Sequence, residues 1–213
     1  MPVAHHEQEL KLCLPAADME RVLRRLSRRK NAGPVRRRRI VRHYYDTPAL
    51  ELYRNRIGLR LERAPGKNAW RQTLKYTAST RRDMLDRWEC SSRLPGMMPN
   101  LRAVSHSVAR KLIKPFINKK LKCLFTVSVE RNYFALNFKS GVVEVAVDLG
   151  EIIITSTGKH FHFSEIEIEI KAGDAIDPAK RAIFKIAPSA RISRRSKQDE
   201  GMRRLLKSAG VSR

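Results

Sequence analysis

Hydrophobic and polar positions alternate through much of this chain. Residues 7–14 place Glu7, Glu9, Lys11 and Cys13 on one face of a predicted strand and Gln8, Leu10, Leu12 and Leu14 on the other. The same period of two returns further on. Glu144 and Asp148 interleave with Val143, Val145 and Val147, and Glu165, Glu167 and Glu169 with Ile166, Ile168 and Ile170. Strand patterns also cover 36–47, 56–63, 68–77, 82–94, 124–138, 141–152 and 160–174, with hairpin links at 64–67 and 139–141. Met19, Val22, Leu23 and Leu26 have helical spacing between Pro15 and Gly33-Pro34. A short helical segment follows Asp46-Thr47, and 177–187 reads as another helix. In 105–122 the helical spacing is interrupted by Pro115.

The pattern predicts an α+β fold of about eight strands with three or four helices. Short strand connections make the sheet antiparallel. No repeat of 20–50 residues is visible. The expected organisation is one domain over 1–213, with its core at about 5–201 and a basic segment at 188–213. Charged faces that mix both signs suit a sheet with one wet side, and equally a barrel closed around a polar interior.

Charge narrows the partners. The 213 residues carry a formal net charge of +24 with 42% hydrophobic positions, so a globular chain attracts polyanions. Three dispersed cysteines form no C-x-x-C pair, which disfavours a zinc site or a disulfide framework and favours a cytoplasmic location. No apolar run approaches bilayer length and no secretory pattern opens the chain, so no membrane role is expected. The P-loop, dinucleotide-binding, H-E-x-x-H and G-x-S-x-G motifs are absent. His5-His6 reads as a frayed, solvated end in preference to a metal site. Arg36, Arg37, Arg38 and Arg39, with Arg42, fit a nucleic-acid patch or a solvated basic edge.

Clustered carboxylates without His or Cys are hard oxygen donors suited to Mg²⁺ or Mn²⁺. An acidic, metal-binding face inside a basic protein calls for a third party with negative charge, and a polyphosphate meets that need.

Glu7-Gln8-Glu9-Leu10-Lys11 matches an E-x-E-x-K signature. After it come YYDTP at 44–48, GLRL at 58–61, QTLK at 72–75, Arg87 with Glu89 in DRWE, and Arg131 in VERNYF. VEVAVDLGEI at 143–152, SEIEIEIKAGD at 164–174 and Ser196-Lys197 complete the series. In this order, over roughly 5–201, the chain resembles the CYTH proteins, or triphosphate tunnel metalloenzymes, and most of all their bacterial inorganic-triphosphatase branch. The resemblance implies an eight-stranded antiparallel β-barrel forming a polar tunnel, with peripheral helices. It implies metal ligation by Glu7, Glu9, Asp148, Glu165 and Glu167, with Glu169 further out on the same face. Glu144 joins this acidic side, which positions water. Lys11, Arg60, Lys75, Arg87, Arg131 and Lys197 are implied phosphate contacts.

Two positions depart from the family pattern: Glu62 and Glu200 stand where arginines are usual. Strand parity puts Glu62 with Arg60, and Arg71 with Lys75, so a hairpin centred near Gly66 sets Glu62 opposite Arg71. Arg71 is therefore expected to offset Glu62 and contribute to substrate binding, the alternative being a Glu62 screened at the tunnel mouth.

The expected activity is metal-dependent hydrolysis of a triphosphate, inorganic triphosphate first, to pyrophosphate and phosphate. Nucleotide-using relatives (adenylate cyclase, nucleoside or thiamine triphosphatase) would need an organic pocket, for which Trp70, Tyr76 and Trp88 are candidates, although barrel-core or rim positions are the expected reading of these aromatics. A non-catalytic polyanion-binding module is the alternative of another class. Lys197 is expected in the tunnel, and Arg203, Arg204, Lys207 and Arg213 on a solvated helix face with weak, non-specific nucleic-acid binding. The oligomeric state stays open between monomer and homodimer.

Overall fold

The alternating segments form eight long strands in the computed structural model, which describes residues 4–63, 69–80 and 83–210, the side chains of 78–80 excepted. These are β1 (His5–Cys13), β2 (Arg36–Asp46), β3 (Ile57–Arg63), β4 (Trp70–Thr80), β5 (Met84–Leu94), β6 (Lys122–Phe138), β7 (Gly141–Ile154) and β8 (His160–Gly173). Their spatial order is β5-β4-β3-β2-β6-β7-β8-β1, and β1 pairs back onto β5. Every ladder is antiparallel, and the sheet closes into a barrel. A ninth strand, β9 (Arg191–Ser193), continues past β5 on the same edge of β1, with Lys11 opposite Ser193.

Because one strand face is apolar and the other charged, two hydrophobic cores lie outside the barrel. Leu10 and Leu12 of β1, Val143, Val145 and Val147 of β7, and Ile166 and Ile168 of β8 pack beneath α1 (Ala16–Ser27) and α4 (Ile176–Ile186). A second cluster joins Leu59, Leu61, Leu74 and Cys90 to Ala109 and Ile113 of α3 (Ser107–Ile113). Each fully buried aliphatic side chain stabilises the fold by about 1.5–3 kcal/mol. This outer burial offsets the cost of a charged interior.

A third cluster lies inside, at one end of the barrel. Phe125, Val127 and Val129 share the inward face of β6 with Arg131, and they meet Ile152, Ile154 and Met202. Met202 belongs to α5 (Lys197–Ser208), which seals this end. The approach is close: a Cβ at Gly201 would fall 2.3 Å from the Phe125 ring, so glycine is required there. A capping box between Ser196 and Asp199 fixes where α5 begins.

Several elements differ from the sequence reading. The helix after Pro15 stops at Ser27, not at Gly33, because Ala32 and Gly33 are drawn into pairing with β6. His5 and His6 are not frayed. They open β1 opposite Glu89 and Trp88, with the His6 ring stacked on Trp88 at 4.9 Å. Pro115 ends α3 and falls in a 3₁₀ turn (Lys114–Phe116), and α2 (Glu51–Arg54) follows the Asp46-Thr47 turn. The hairpin loop at 64–67 and Arg213 lie outside the described residues. Among the described residues, no helix is long and apolar enough to cross a membrane.

Candidate active site

Inward faces of the strands bring most of the singled-out charges together. A cavity of about 60 Å³ is lined by Glu7, Glu9 and Lys11 of β1, Arg60 of β3, Lys75 of β4 and Arg87 of β5. Arg131, Glu167 and Lys197 close it from the other side. The volume is small because these side chains are locked to one another.

On β1, Lys75 donates to both oxygens of Glu7 at 2.7 and 2.6 Å, and Arg87 reaches Glu7 at 3.1 Å and Glu9 at 2.7 Å. Across the barrel Arg131 grips Asp148 with two hydrogen bonds of 2.8 and 2.6 Å and also donates to Glu167. Lys197 donates to Glu167 at 2.6 Å, to Asp148 at 3.0 Å and to Glu165. Lys11, 1% exposed, sits 3.2 Å from Glu165 and 3.5 Å from Glu167.

Burial alone would neutralise these groups, so their charge states follow from the pairing. Burial pushes the Glu7 carboxyl up, but Lys75 and Arg87 outweigh it and bring it down to about 2. Asp148 and Glu167 are lowered against burial by Lys197 and Arg131. Lys197 is raised against burial by Glu165, Glu167 and Asp148. Glu9 goes the other way. Burial, then the neighbouring Glu167 and Glu7 carboxylates, lift it above the ordinary range despite Arg87 and Lys11.

Asp148, Glu165 and Glu167 offer oxygens that all lie within 4.8 Å of one another. These are hard carboxylate oxygens, and Glu7 and Glu9 line the same cavity as Glu167. This set fits a divalent cation of the Mg²⁺ or Mn²⁺ type.

Glu144 and Glu169 are placed apart from this group. They face each other across β7 and β8, further along the strands, where Lys171 lies 2.7 Å from Glu169 and 3.9 Å from Glu144. Arg71 also lies beyond the cavity. It is the cross-strand partner of Glu62 and donates to it, while Arg42 binds the same carboxylate at 2.8 Å. Glu200 is not in the tunnel cavity: Arg203 and Arg204 hold it at 2.5 and 2.8 Å.

Trp70, Tyr76 and Trp88 alternate with Lys75 and Arg87 and face outward: Trp70 and Tyr76 belong to the core near α3, and Trp88 stacks on His6. None of the three lines the cavity described above. The arginine run at 36–39 does not form one patch, since Arg38 shares the inward face with Arg42 while Arg37 and Arg39 point to solvent.

Arg42, Tyr44 and Gln198 also line the cavity without having been singled out for the site, and Glu89 lies beside it. Glu89 receives Lys75 at 2.9 Å and Arg60 at 3.6 Å. Its signal was present, two positions after Arg87 on one strand face.

A family model described as the CYTH domain matches residues 5–201. The chain belongs to the CYTH family. No curated protein matches it in sequence. Among solved structures, it is similar to an adenylyl cyclase candidate from Hippeastrum, described as revealing a dominant triphosphatase activity. Identity there is 17%, covering 92% of this chain and 95% of that one, with a TM-score of 0.62. A candidate adenylate cyclase of Bacillus halodurans shares 17% identity over 99% of this chain and 92% of its own, with a TM-score of 0.54. The PH1819 protein of Pyrococcus horikoshii shares 18% identity over 93% and 99%, with a TM-score of 0.55. At such identities the likeness concerns the fold, a closed CYTH barrel with an added strand.

Proposed function

We propose that this CYTH protein hydrolyses inorganic triphosphate to pyrophosphate and phosphate with a divalent metal ion. The observation that carries the reading is the interlocked set of cations and carboxylates inside a barrel sealed at one end by α5. Each cation now holds a carboxylate where a phosphate oxygen could sit, and each carboxylate holds an ammonium or guanidinium where a metal ion could sit. Triphosphate and metal together exchange both sets of partners without leaving a buried charge unpaired.

Glu7, Glu9, Asp148, Glu165 and Glu167 would hold the metal, with Glu169 and Glu144 further out on the acidic side. When bound, a divalent cation there supplies charge neutralisation at phosphoryl oxygens and a more acidic water. Lys11, Arg60, Lys75, Arg87, Arg131 and Lys197 orient the chain and stabilise charge on the leaving pyrophosphate, with Arg71 at the outer end. The carboxylates accept the proton of the attacking water.

The outward Trp70, Tyr76 and Trp88 favour an inorganic substrate over a nucleotide or thiamine ester. Pairing of Glu62 with two arginines, and placement of Glu200 outside the cavity, favour an enzyme over a binding module. Phosphate release from inorganic triphosphate, ATP and thiamine triphosphate, with Mg²⁺ or Mn²⁺, tests the reading. Inorganic triphosphate is expected to be turned over fastest; faster ATP turnover, or cyclic AMP as its product, would contradict it.

A further inference from the structure

A second cavity opens beside the plug, between α5 and the ends of β1, β7, β8 and β9. Its volume is about 270 Å³, against about 60 Å³ for the tunnel cavity. That approaches the roughly 300 Å³ at which small-molecule sites begin. Lys197 borders both cavities, and its partner Glu165 stands in the wall of the second.

One wall is apolar. The period of two that turns Glu165 and Glu167 inward on β8 also turns Phe161 and Phe163 inward. Phe161 is the cross-strand partner of Ile152, and these three side chains line the cavity together. Both rings are only partly buried against the third core cluster. Cys13, opposite Glu165 on β1, adds an exposed thiol to the lining.

The other wall is basic. Helical spacing sets Lys197, Glu200 and Arg204 on one face of α5, and Arg203 and Arg195 join them around the cavity. The Arg204 guanidinium lies 4.8 Å from the centre of the Phe161 ring, and the Lys197 ammonium 5.6 Å from that of Phe163. Glu200 accepts from Arg203 at 2.5 and 3.0 Å and from Arg204 at 2.8 Å, with Arg195 4.0 Å away. Each guanidinium offers about five N–H donors, more than one carboxylate shared by three arginines can use. Glu165 is likewise taken, by Lys11 and Lys197. A cationic guest would meet these arginines as like charges, and an inorganic anion would leave the phenylalanine rings in water.

We propose that this cavity is a second binding site, for a small organic anion with an aromatic or branched apolar body. The body lies against Ile152, Phe161 and Phe163, and the anionic group takes N–H donors of Arg195, Arg203 and Arg204. Binding there requires no hydrolysis in the tunnel.

Calorimetric titration of the full chain with 2-naphthoate, at fixed ionic strength and without metal, tests the site. One saturable site is expected. Acetate, which lacks the body, and 2-naphthylmethylammonium, which reverses the charge, should bind at least about tenfold more weakly. Arg203→Ala should weaken naphthoate binding about tenfold, the effect of one charged hydrogen bond. Arg195→Ala, in the irregular segment before α5, gives a second reading of the same loss. Glu200→Gln should tighten binding, because it frees arginine donors and removes a negative charge. Naphthoate should also slow alkylation of Cys13 by iodoacetamide, read by peptide mass spectrometry. Saturating inorganic triphosphate should leave the naphthoate site available. Simple competition by triphosphate, equal binding of the naphthylmethylammonium, an affinity unchanged in both arginine variants, or no protection of Cys13 would overturn the proposal.

Discussion

The Lys197 ammonium sits 2.6 Å from Glu167, joining the first residue of α5 to the middle of β8 across the sealed end of the barrel. The contact links closure of the barrel to charge balance in its interior, since the helix that plugs one end also supplies a cation to three carboxylates.

Lys197→Ala leaves Asp148, Glu165 and Glu167 to Arg131 and Lys11. Removing one partner of a buried ion-pair network costs about 3–5 kcal/mol. Chemical denaturation without metal should show a loss of this order. Added Mg²⁺ should restore more stability to the variant than it adds to the parent, because it replaces the missing charge. An equal gain in both proteins would contradict metal binding at this cluster.

Glu62 is buried between Arg42 and Arg71, which prevents it from repelling an anionic substrate. Arg71→Ala should weaken triphosphate binding roughly tenfold at low salt, about the effect of losing one charged hydrogen bond. Glu62→Arg in the same chain should lessen that loss. Calorimetry that finds Arg71→Ala binding as tightly as the parent would show that Arg71 does not compensate for Glu62.

Glu89 has a pKa below its ordinary value, because Lys75 and Arg60 outweigh the effect of burial. A carboxylate depressed in the folded state adds stability above its unfolded pKa, and that stability is lost as pH falls through the folded value. The parent Tm should therefore drop between roughly pH 5 and 2, and Glu89→Gln should start lower and drop less steeply. Parallel curves for the two proteins would rule out this contribution.

Much of the barrel was legible because a period of two, repeated on eight strands, separates charged from apolar faces at each position. Parity put Glu7, Glu9 and Lys11 on one face of β1 and Glu165 and Glu167 on one face of β8, and the resemblance to the CYTH proteins, not parity, put both faces inside one barrel. Parity also set Glu62 opposite Arg71, as found. Depth was not legible. Glu144 has the same parity as Asp148, yet it lies opposite Glu169 and not in the main cluster, because barrel register decides level along the axis. Arg42 was hidden in a run of arginines whose alternation only pairing with β6 reveals. Trp70 and Tyr76 lie with the outer core, in line with the core or rim reading preferred for the aromatics. The tail reads in the sequence as a solvated basic helix that brings Lys197 to the tunnel. Its role as a plug depends on Gly201 and Met202 meeting Phe125, Ile152 and Ile154, a contact without sequence periodicity.

Orthophosphate release from inorganic triphosphate in ¹⁸O-water, by the parent and Glu9→Gln, tests the central claim most directly. Glu9 is the carboxylate that burial, Glu167 and Glu7 leave most in need of a cation. The parent should release one orthophosphate and one pyrophosphate per triphosphate only when Mg²⁺ or Mn²⁺ is present, with the label in orthophosphate. Glu9→Gln should lose this release while still binding triphosphate. A parent that binds triphosphate but releases no orthophosphate with either metal, or a Glu9→Gln variant as active as the parent, would contradict the account.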